Sequence, residues 1–283
     1  MRDKKDADLQ ALVGQATAGD KRALEALLLS VQDTVFNLSL RMLGTFSDAE
    51  DATQDILLKI MTHLSSFRGE SSFETWVFRI AVNHLKNYKK HMFAHRPLSF
   101  EYYGEDIENG PIQDAPELGP EVDRELLAEE LKLSCTNVML QCLDGESRCI
   151  FILGTMFRLD SRVAGDILGM TPEAYRQRLS RTRRKMADFL GRYCGEYGGG
   201  KCKCRDRIHY AVHCHRIDPQ RLEHTGAVEI PVEAMLHVKR AMEEIDDLAQ
   251  DFSFCKAYHC PEATREFIQE VLASPVFSFV TNS

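Results

Sequence analysis

An all-α fold is predicted by three features of the sequence. Apolar residues recur every three to four positions between residues 20 and 85. No strand-like alternation interrupts the first hundred residues. A densely basic stretch at helical spacing, with six of its ten residues cationic from Arg176 to Lys185, follows a turn and a short helix. At 283 residues the chain suits two small helical domains with an appendage better than one large core.

The elements follow in order. Leu24, Leu27, Leu28, Val31, Val35, Leu38 and Met42 form the buried stripe of a helix over residues 20–44, with Gly44 as its stop. A second helix is predicted from Ser47, where Ser47 and Glu50 have the spacing of a capping box. Its stripe is Ala49, Thr53, Ile56, Leu57, Ile60 and Leu64. A third opens at Ser71, again with a glutamate three positions on at Glu74. It buries Phe73, Trp76, Val77, Ile80, Ala81 and His84 or Leu85. Residues 1–96 are therefore read as one helical bundle.

Residues 97–125 carry Pro97, Pro111, Pro116 and Pro120 among glycines and acids, the composition of a flexible, self-repelling linker. Residues 126–191 read as a second helical domain. It ends in a helix over 147–157, a short helix over 161–168, a turn through Gly169, Met170 and Thr171, and a helix from Pro172. Thr171 suits the cap of that last helix and Pro172 its first position. Residues 192–283 form a carboxy-terminal extension, with a glycine joint at Gly198–Gly200 and an amphipathic helix around Val232–Leu248.

The formal charge of −8 is unevenly placed. Residues 101–130 hold eleven acids against one arginine, and residues 217–283 twelve acids against five cations. Residues 171–190 hold six cations against two acids. The acidity thus lies in the linker and the tail, away from the basic helix. Such a chain binds DNA weakly by itself. Residues 1–12 are charged, and no apolar run reaches the ~18 residues that suggest a membrane span. A cytoplasmic protein without membrane partners is expected.

On the basic helix, Arg176, Gln177, Ser180 and Arg181 share a face at i, i+1, i+4 and i+5, while Leu179, Met186 and Leu190 point inward. Arginine forks onto guanine or clamps phosphate, and glutamine pairs with adenine, so this face suits a major groove. A solvated basic surface is the bland alternative. The second constellation is the acidic helix start of Asp48, Glu50, Asp51, Gln54 and Asp55. A helix amino terminus favours the first three acids electrostatically. Asp55, a turn further on, is better explained as part of a polar patch for a protein partner. The third is Phe67-Arg-Gly-Glu-Ser-Ser72 leading into Trp76, Arg79, Asn83, Lys86, Lys89 and Lys90. It offers an aromatic that stacks on an unpaired base, and a basic face that tracks one strand. Phe67 and Trp76 suit a core equally well.

These segments resemble a known family. Asp48-Ala-Glu-Asp-Ala-Thr-Gln-Asp55 is similar to the core-polymerase-binding helix of bacterial sigma factors. Ser66-Phe-Arg-Gly-Glu-Ser-Ser-Phe-Glu-Thr-Trp-Val-Phe-Arg-Ile-Ala-Val-Asn83 is similar to the promoter-melting segment of the extracytoplasmic-function (ECF) class. Residues 143–186 resemble that class's second DNA-binding domain. The resemblance implies region 2 of the sigma-70 fold over 1–96 and the region 4 helix-turn-helix over 126–191. It implies contacts of Asp51, Gln54 and Asp55 with the β′ clamp helices of core RNA polymerase, besides a β-flap contact. Phe67 and Asn83 would hold a flipped base of the −10 element, with Arg79, Lys86 and Lys90 on the nearby strand. Arg176, Gln177, Ser180 and Arg181 would read the −35 element. Promoter DNA and an anti-sigma factor are the other implied partners. Residues Asp160–Asp166 depart from the family's usual acidic or aromatic run, and the extension of about ninety residues exceeds its minimal members.

Six of nine cysteines follow residue 190, and clustered Cys in a reducing compartment suggests metal or redox chemistry. Cys202, Cys204, His209 and His213 are the candidate zinc ligands, since a helix over 205–216 places the two histidines on one face. Buried thiols and incidental surface histidines are the bland alternative, and no cofactor is required for the implied role. By resemblance to members with regulatory extensions, the acidic tail is expected to regulate activity, covering the basic helix until a signal releases it. A free-standing helix-turn-helix regulator is the alternative to a sigma factor. No nucleophile elbow, phosphate loop or paired carboxylate motif supports an enzyme.

Overall fold

The computed structural model describes residues 2–88, 98–110, 123–197, 199–225 and 258–274. Every regular element among them is helical, in two compact units. The first comprises Met1–Lys89, Arg162–Thr171 and His259–Ser283; the second Lys90–Ser161 and Pro172–Tyr258. The chain thus crosses between units more often than a division at residues 97–125 and 192 implies.

The first unit is built around α2 (Lys21–Leu43), in which every residue from Val35 to Leu43 is buried. Asp20 caps it by accepting from the backbone N–H of Arg22 and Ala23. Gly44 ends it at φ 93°, a conformation glycine adopts without steric cost, and donates to the Leu40 carbonyl at 2.8 Å. Around α2 pack α1 (Arg2–Thr17), α3 (Phe46–His63) and α4 (Phe73–Asn87). Helix α1 presents Leu9, Val13 and Ala16 to the core; its spacing is helical, but its charged start masks the signal.

Two caps are displaced from the sequence reading. The cap of α3 is Thr45, not Ser47: its hydroxyl accepts from the Asp48 N–H at 3.3 Å and donates to the Asp48 carboxylate at 2.7 Å. The cap of α4 is Ser72, one residue past the predicted Ser71, accepting from Thr75 N–H at 3.2 Å. In each case neighbouring hydroxyl residues compete for one cap, and packing decides which turn begins the helix.

The second unit corrects the linker. Residues Phe100–Asn109 form a helix, α5, capped by Ser99. Phe100 and Tyr103 are buried against Phe189, with ring centroids 5.1 and 5.5 Å away. Asp106 accepts from the Tyr210 hydroxyl and from Arg216, both at 2.7 Å. Acidic composition predicts an unpacked strap; two aromatics three positions apart and an acid with two half-buried partners override it. Helix α6 (Arg124–Gln141) and α7 (Gly145–Phe151) are joined at a corner held by Arg148. Its guanidinium donates to the carbonyls of Leu140, Gln141 and Leu143, satisfying the open end of α6. Burial pushes its pKa down to about 10.

Helix α7 passes into a fully buried π-helical segment, Ile152–Met156, where a regular helix over 147–157 was predicted. α8 (Ser161–Leu168) and α9 (Pro172–Tyr193) follow as predicted. The extension contributes a 3₁₀ turn at Cys204–Arg207 and α10 (Ile208–His213), whose Ile208 and Ala211 join Leu127, Leu131 and Ile217 in a small core. Buried Glu130 on α6 holds the end of this segment, accepting from the backbone N–H of His224 and Thr225 and from the Thr225 hydroxyl. Residues 192–225 are therefore part of the second domain's packing. The helix predicted around Val232–Leu248 lies outside the described residues. α11 (Glu262–Ala273) belongs to the first unit.

Candidate nucleic-acid interface

Between α8 and α9 the backbone closes a Schellman turn: Met170 N–H donates to the Gly165 carbonyl at 2.9 Å and Gly169 N–H to that of Asp166 at 3.3 Å. The turn needs a left-handed residue, and Gly169 supplies it at φ 70°. Helix α9 begins immediately afterwards. Tyr175, Thr182, Met186, Phe189 and Leu190 are its buried face, and Leu179 is half-buried. Tyr175 donates to the Ile150 carbonyl at 3.0 Å. Gly154 lets α9 come this close, for a methyl group there would sit 2.6 Å from both the Tyr175 hydroxyl and the Leu179 side chain.

Arg176, Gln177, Ser180 and Arg181 are all exposed, as their spacing predicts. Arg176 is poised by Glu173 and by the Ser161 hydroxyl, at 2.9 and 3.0 Å. The structure also sorts the basic run. Arg183 turns inward onto Thr155 and the Gly154 carbonyl, Arg178 pairs with Glu146, and Lys185 sits 5.1 Å from the Phe100 ring centre. Arg184 is exposed and falls seven positions after Gln177, on the same face. That spacing was available in the sequence, and Arg184 joins the candidate reading face.

The first unit holds the other candidates. On α3, Asp51 and Asp55 are exposed and Gln54 is half-buried. Asp55 lies 3.7 Å from His84 Nε2, and Lys59 Nζ lies 2.7 Å from His84 Nδ1. The ammonium can only donate, so Nδ1 accepts and the ring proton sits on Nε2, facing Asp55. Burial, then the Lys59 charge, lowers the His84 pKa, with Asp55 opposing both. The Tyr88 hydroxyl is raised by burial and then by the charges of Asp48, Asp51 and Asp55, so those acids project one field along the α3 surface.

Phe67 is half-buried, its ring centre 5.6 Å from that of Phe73 and 5.5 Å from that of Trp76. Core and surface thus share it, which is why sequence reasoning left both open. Asn83 and Lys86 are exposed on α4. Arg79 is paired with Asp166 of α8. Lys90 lies outside the described residues.

Of the candidate metal ligands, Cys202 and Cys204 are half-buried and His213 is exposed on α10, four positions after half-buried His209. Cys202 pairs through its backbone with Cys194 across the glycine joint. The Cys204 thiol is raised chiefly by burial and then by Cys135, Cys194 and Cys202. The charges of Cys135, on α6, and of Cys194 thus reach both cysteines, and no local spacing announces Cys135. No three Cys, His, Asp or Glu side chains converge as a metal site among the described residues. No helix among the described residues is long and apolar enough to cross a membrane.

An exposed basic helix after a Schellman turn, and a bundle bearing an acidic helix and an aromatic loop, define an all-α protein with a candidate nucleic-acid-binding helix. Residues 27–91 match the Sigma-70 region 2 family. The ECF RNA polymerase sigma-E factor of Haemophilus influenzae is 36% identical over 153 residues, 49% of this chain and 78% of that protein. The Escherichia coli K12 protein of the same name is 34% identical over 123 residues, 44% of this chain and 63% of the relative. The RNA polymerase sigma-H factor of Pseudomonas aeruginosa is 38% identical over 101 residues, 35% of this chain and 51% of the relative, so the chain spans about half of that protein's length. Among solved structures, CnrH in complex with the cytosolic domain of CnrY aligns at a TM-score of 0.47 and 22% identity, over 65% of this chain and 97% of that one. The chain belongs to the ECF sigma factors of the sigma-70 family.

Proposed function

We propose that this chain acts as a promoter-specificity subunit of RNA polymerase. In this reading Asp51, Gln54 and Asp55 dock α3 on the β′ clamp helices. Arg176, Gln177, Ser180, Arg181 and Arg184 read the −35 element in the major groove. Phe67, Asn83, Arg79, Lys86 and Lys90 engage the −10 element as its strands part. The observation that carries the reading is the coincidence of two surfaces on one chain: an acidic helix within the matched region 2, and a basic helix whose reading face is solvent-exposed and backed by a packed core.

The energetics fit a protein that works only on the polymerase. Separating and unstacking bases costs a few kcal/mol per step, and stacking on an aromatic returns about 1–3 kcal/mol per base. With a net charge of −8 on the free chain, phosphate attraction is weak, so polymerase contacts have to complete the grip. The role requires no catalytic residue in this chain. A cytoplasmic location, an anti-sigma partner and zinc on the extension's thiols belong to the same proposal.

The test is run-off transcription with reconstituted core polymerase and promoter templates selected from a random library. Promoter-specific transcripts that depend on this protein are expected. Tight, specific duplex binding without polymerase, together with no transcript, would remove the sigma reading in favour of a free-standing regulator.

A further inference from the structure

Helix α11 of the extension packs on the very domain proposed to dock on polymerase. Helix α11 runs antiparallel to α2 and is fixed at three levels. At its start, Asp33 of α2 accepts from the Cys260 backbone N–H at 2.8 Å and lies 3.1 Å from His259 Nδ1. Further along, Gln269 donates to Glu25 at 3.1 Å. At its end, Lys21 donates to the Leu272 carbonyl at 2.9 Å, satisfying one of the open carbonyls of the last turn. Between these points Phe267, Ile268 and Val271 meet Leu28 of α2 and Leu57, Leu58 and Met61 of α3. Ile268 is 1% exposed and Leu272 7%.

The footprint on α3 determines what this contact does. Leu57, Leu58 and Met61 form one stripe, and three to seven positions earlier Gln54 continues it towards Glu50, whose charge reaches Cys260. Asp51 and Asp55 flank the stripe on the side of α4. A helix lying along Leu57, Leu58 and Met61 therefore runs beside Gln54, Asp51 and Asp55. Any large partner gripping α3 through those three residues must share the surface with α11.

We infer that the groove between α2 and α3 is a helix-docking surface whose resident occupant is the chain's own α11, and that core polymerase displaces α11 when it binds. The inference rests on the sigma reading above, because it takes polymerase as the competitor. It relocates the tail's regulatory contact from the basic helix α9 to the acidic helix α3. The forces suit an exchangeable cover: a small apolar contact, one carbonyl cap and polar contacts at the rim, most of them exposed. Apparent affinity for polymerase is reduced in proportion to the fraction of chains whose α11 is lifted.

The test uses the full chain and its Ile268→Asp variant, with Ile268→Val as the conservative control. Affinity for core polymerase is titrated, and amide exchange of residues 262–273 is followed with and without polymerase. Taking about one chain in ten to have α11 lifted, Ile268→Asp should bind core about tenfold more tightly than the natural chain, and Ile268→Val should bind like the natural chain. In the natural chain, polymerase should speed α11 exchange. If α11 stays protected in the polymerase complex, or if Ile268→Asp binds core no more tightly than the natural chain, the inference is overturned while the sigma reading stands. If neither chain binds core, both fall.

Discussion

The two surfaces proposed to meet DNA are prepared in opposite ways. On α9 the division is complete: Tyr175, Met186 and Phe189 are buried, while Gln177, Ser180 and Arg181 face solvent. Arg176, held by Glu173 and the Ser161 hydroxyl, is the reading residue that exchanges partners when a groove arrives. Around α4 the candidates are engaged. Phe67 leans on Phe73 and Trp76, and Arg79 pairs with Asp166. The difference matches the two tasks. Reading a duplex needs a rigid rod, whereas holding a base that has left the stack needs an aromatic that exchanges its protein neighbours for a nucleobase.

The comparison is broken most forcefully on α9. Replacing Arg176 and Arg181 together by alanine should remove −35 recognition, each base contact contributing about 1–3 kcal/mol. The melting temperature should stay near that of the natural chain, since both side chains are exposed. Footprinting of the polymerase complex and thermal denaturation check the two halves. Next in size is Phe67→Leu, which keeps an apolar group against Phe73 and Trp76 but loses the π face. Open-complex formation should fall by about 1–3 kcal/mol worth of stacking, read by permanganate reactivity of unpaired thymines, with duplex −35 binding intact.

Gly154→Ala sharpens the claim that α9 is held rigidly. The added methyl meets Tyr175 and Leu179, so a loss of about 1–3 kcal/mol in stability is expected by denaturant titration. The smallest effect concerns pH. Burial and Lys59 hold the His84 pKa below its usual 6.5, so the folded state binds its proton less readily than the unfolded state. That contribution is complete above pH 6.5 and is lost as pH falls through the lower, folded value. His84→Gln should flatten this part of the acid-stability profile, measured by thermal denaturation between about pH 7 and pH 5.

The α2, α8 and α9 helices, the turn at Gly169 and the exposed face of Arg176, Gln177, Ser180 and Arg181 were legible because each has a local cause: periodic apolar residues, a glycine at a left-handed position, a proline at a helix start. Helix α5 was not legible. Its acids suggest repulsion, and Phe189, Tyr210 and Arg216, about ninety to 110 residues away, turn them into a packed element. The surroundings of Cys202 and Cys204 were not legible for a related reason: they include Cys135, on α6.

Taken alone, the sequence determined helices α2, α3, α4, α8 and α9, which of their faces are apolar, and where positive charge is concentrated, because propensity, periodicity and charge act over a few residues. Only the tertiary structure decided that the extension divides between the two units, that Arg183 turns inward while Arg184 stays out, and that α11 lies along α2 and α3. Those outcomes depend on shape complementarity and desolvation between groups far apart in the chain, and no local pattern encodes which distant surface a helix will cover.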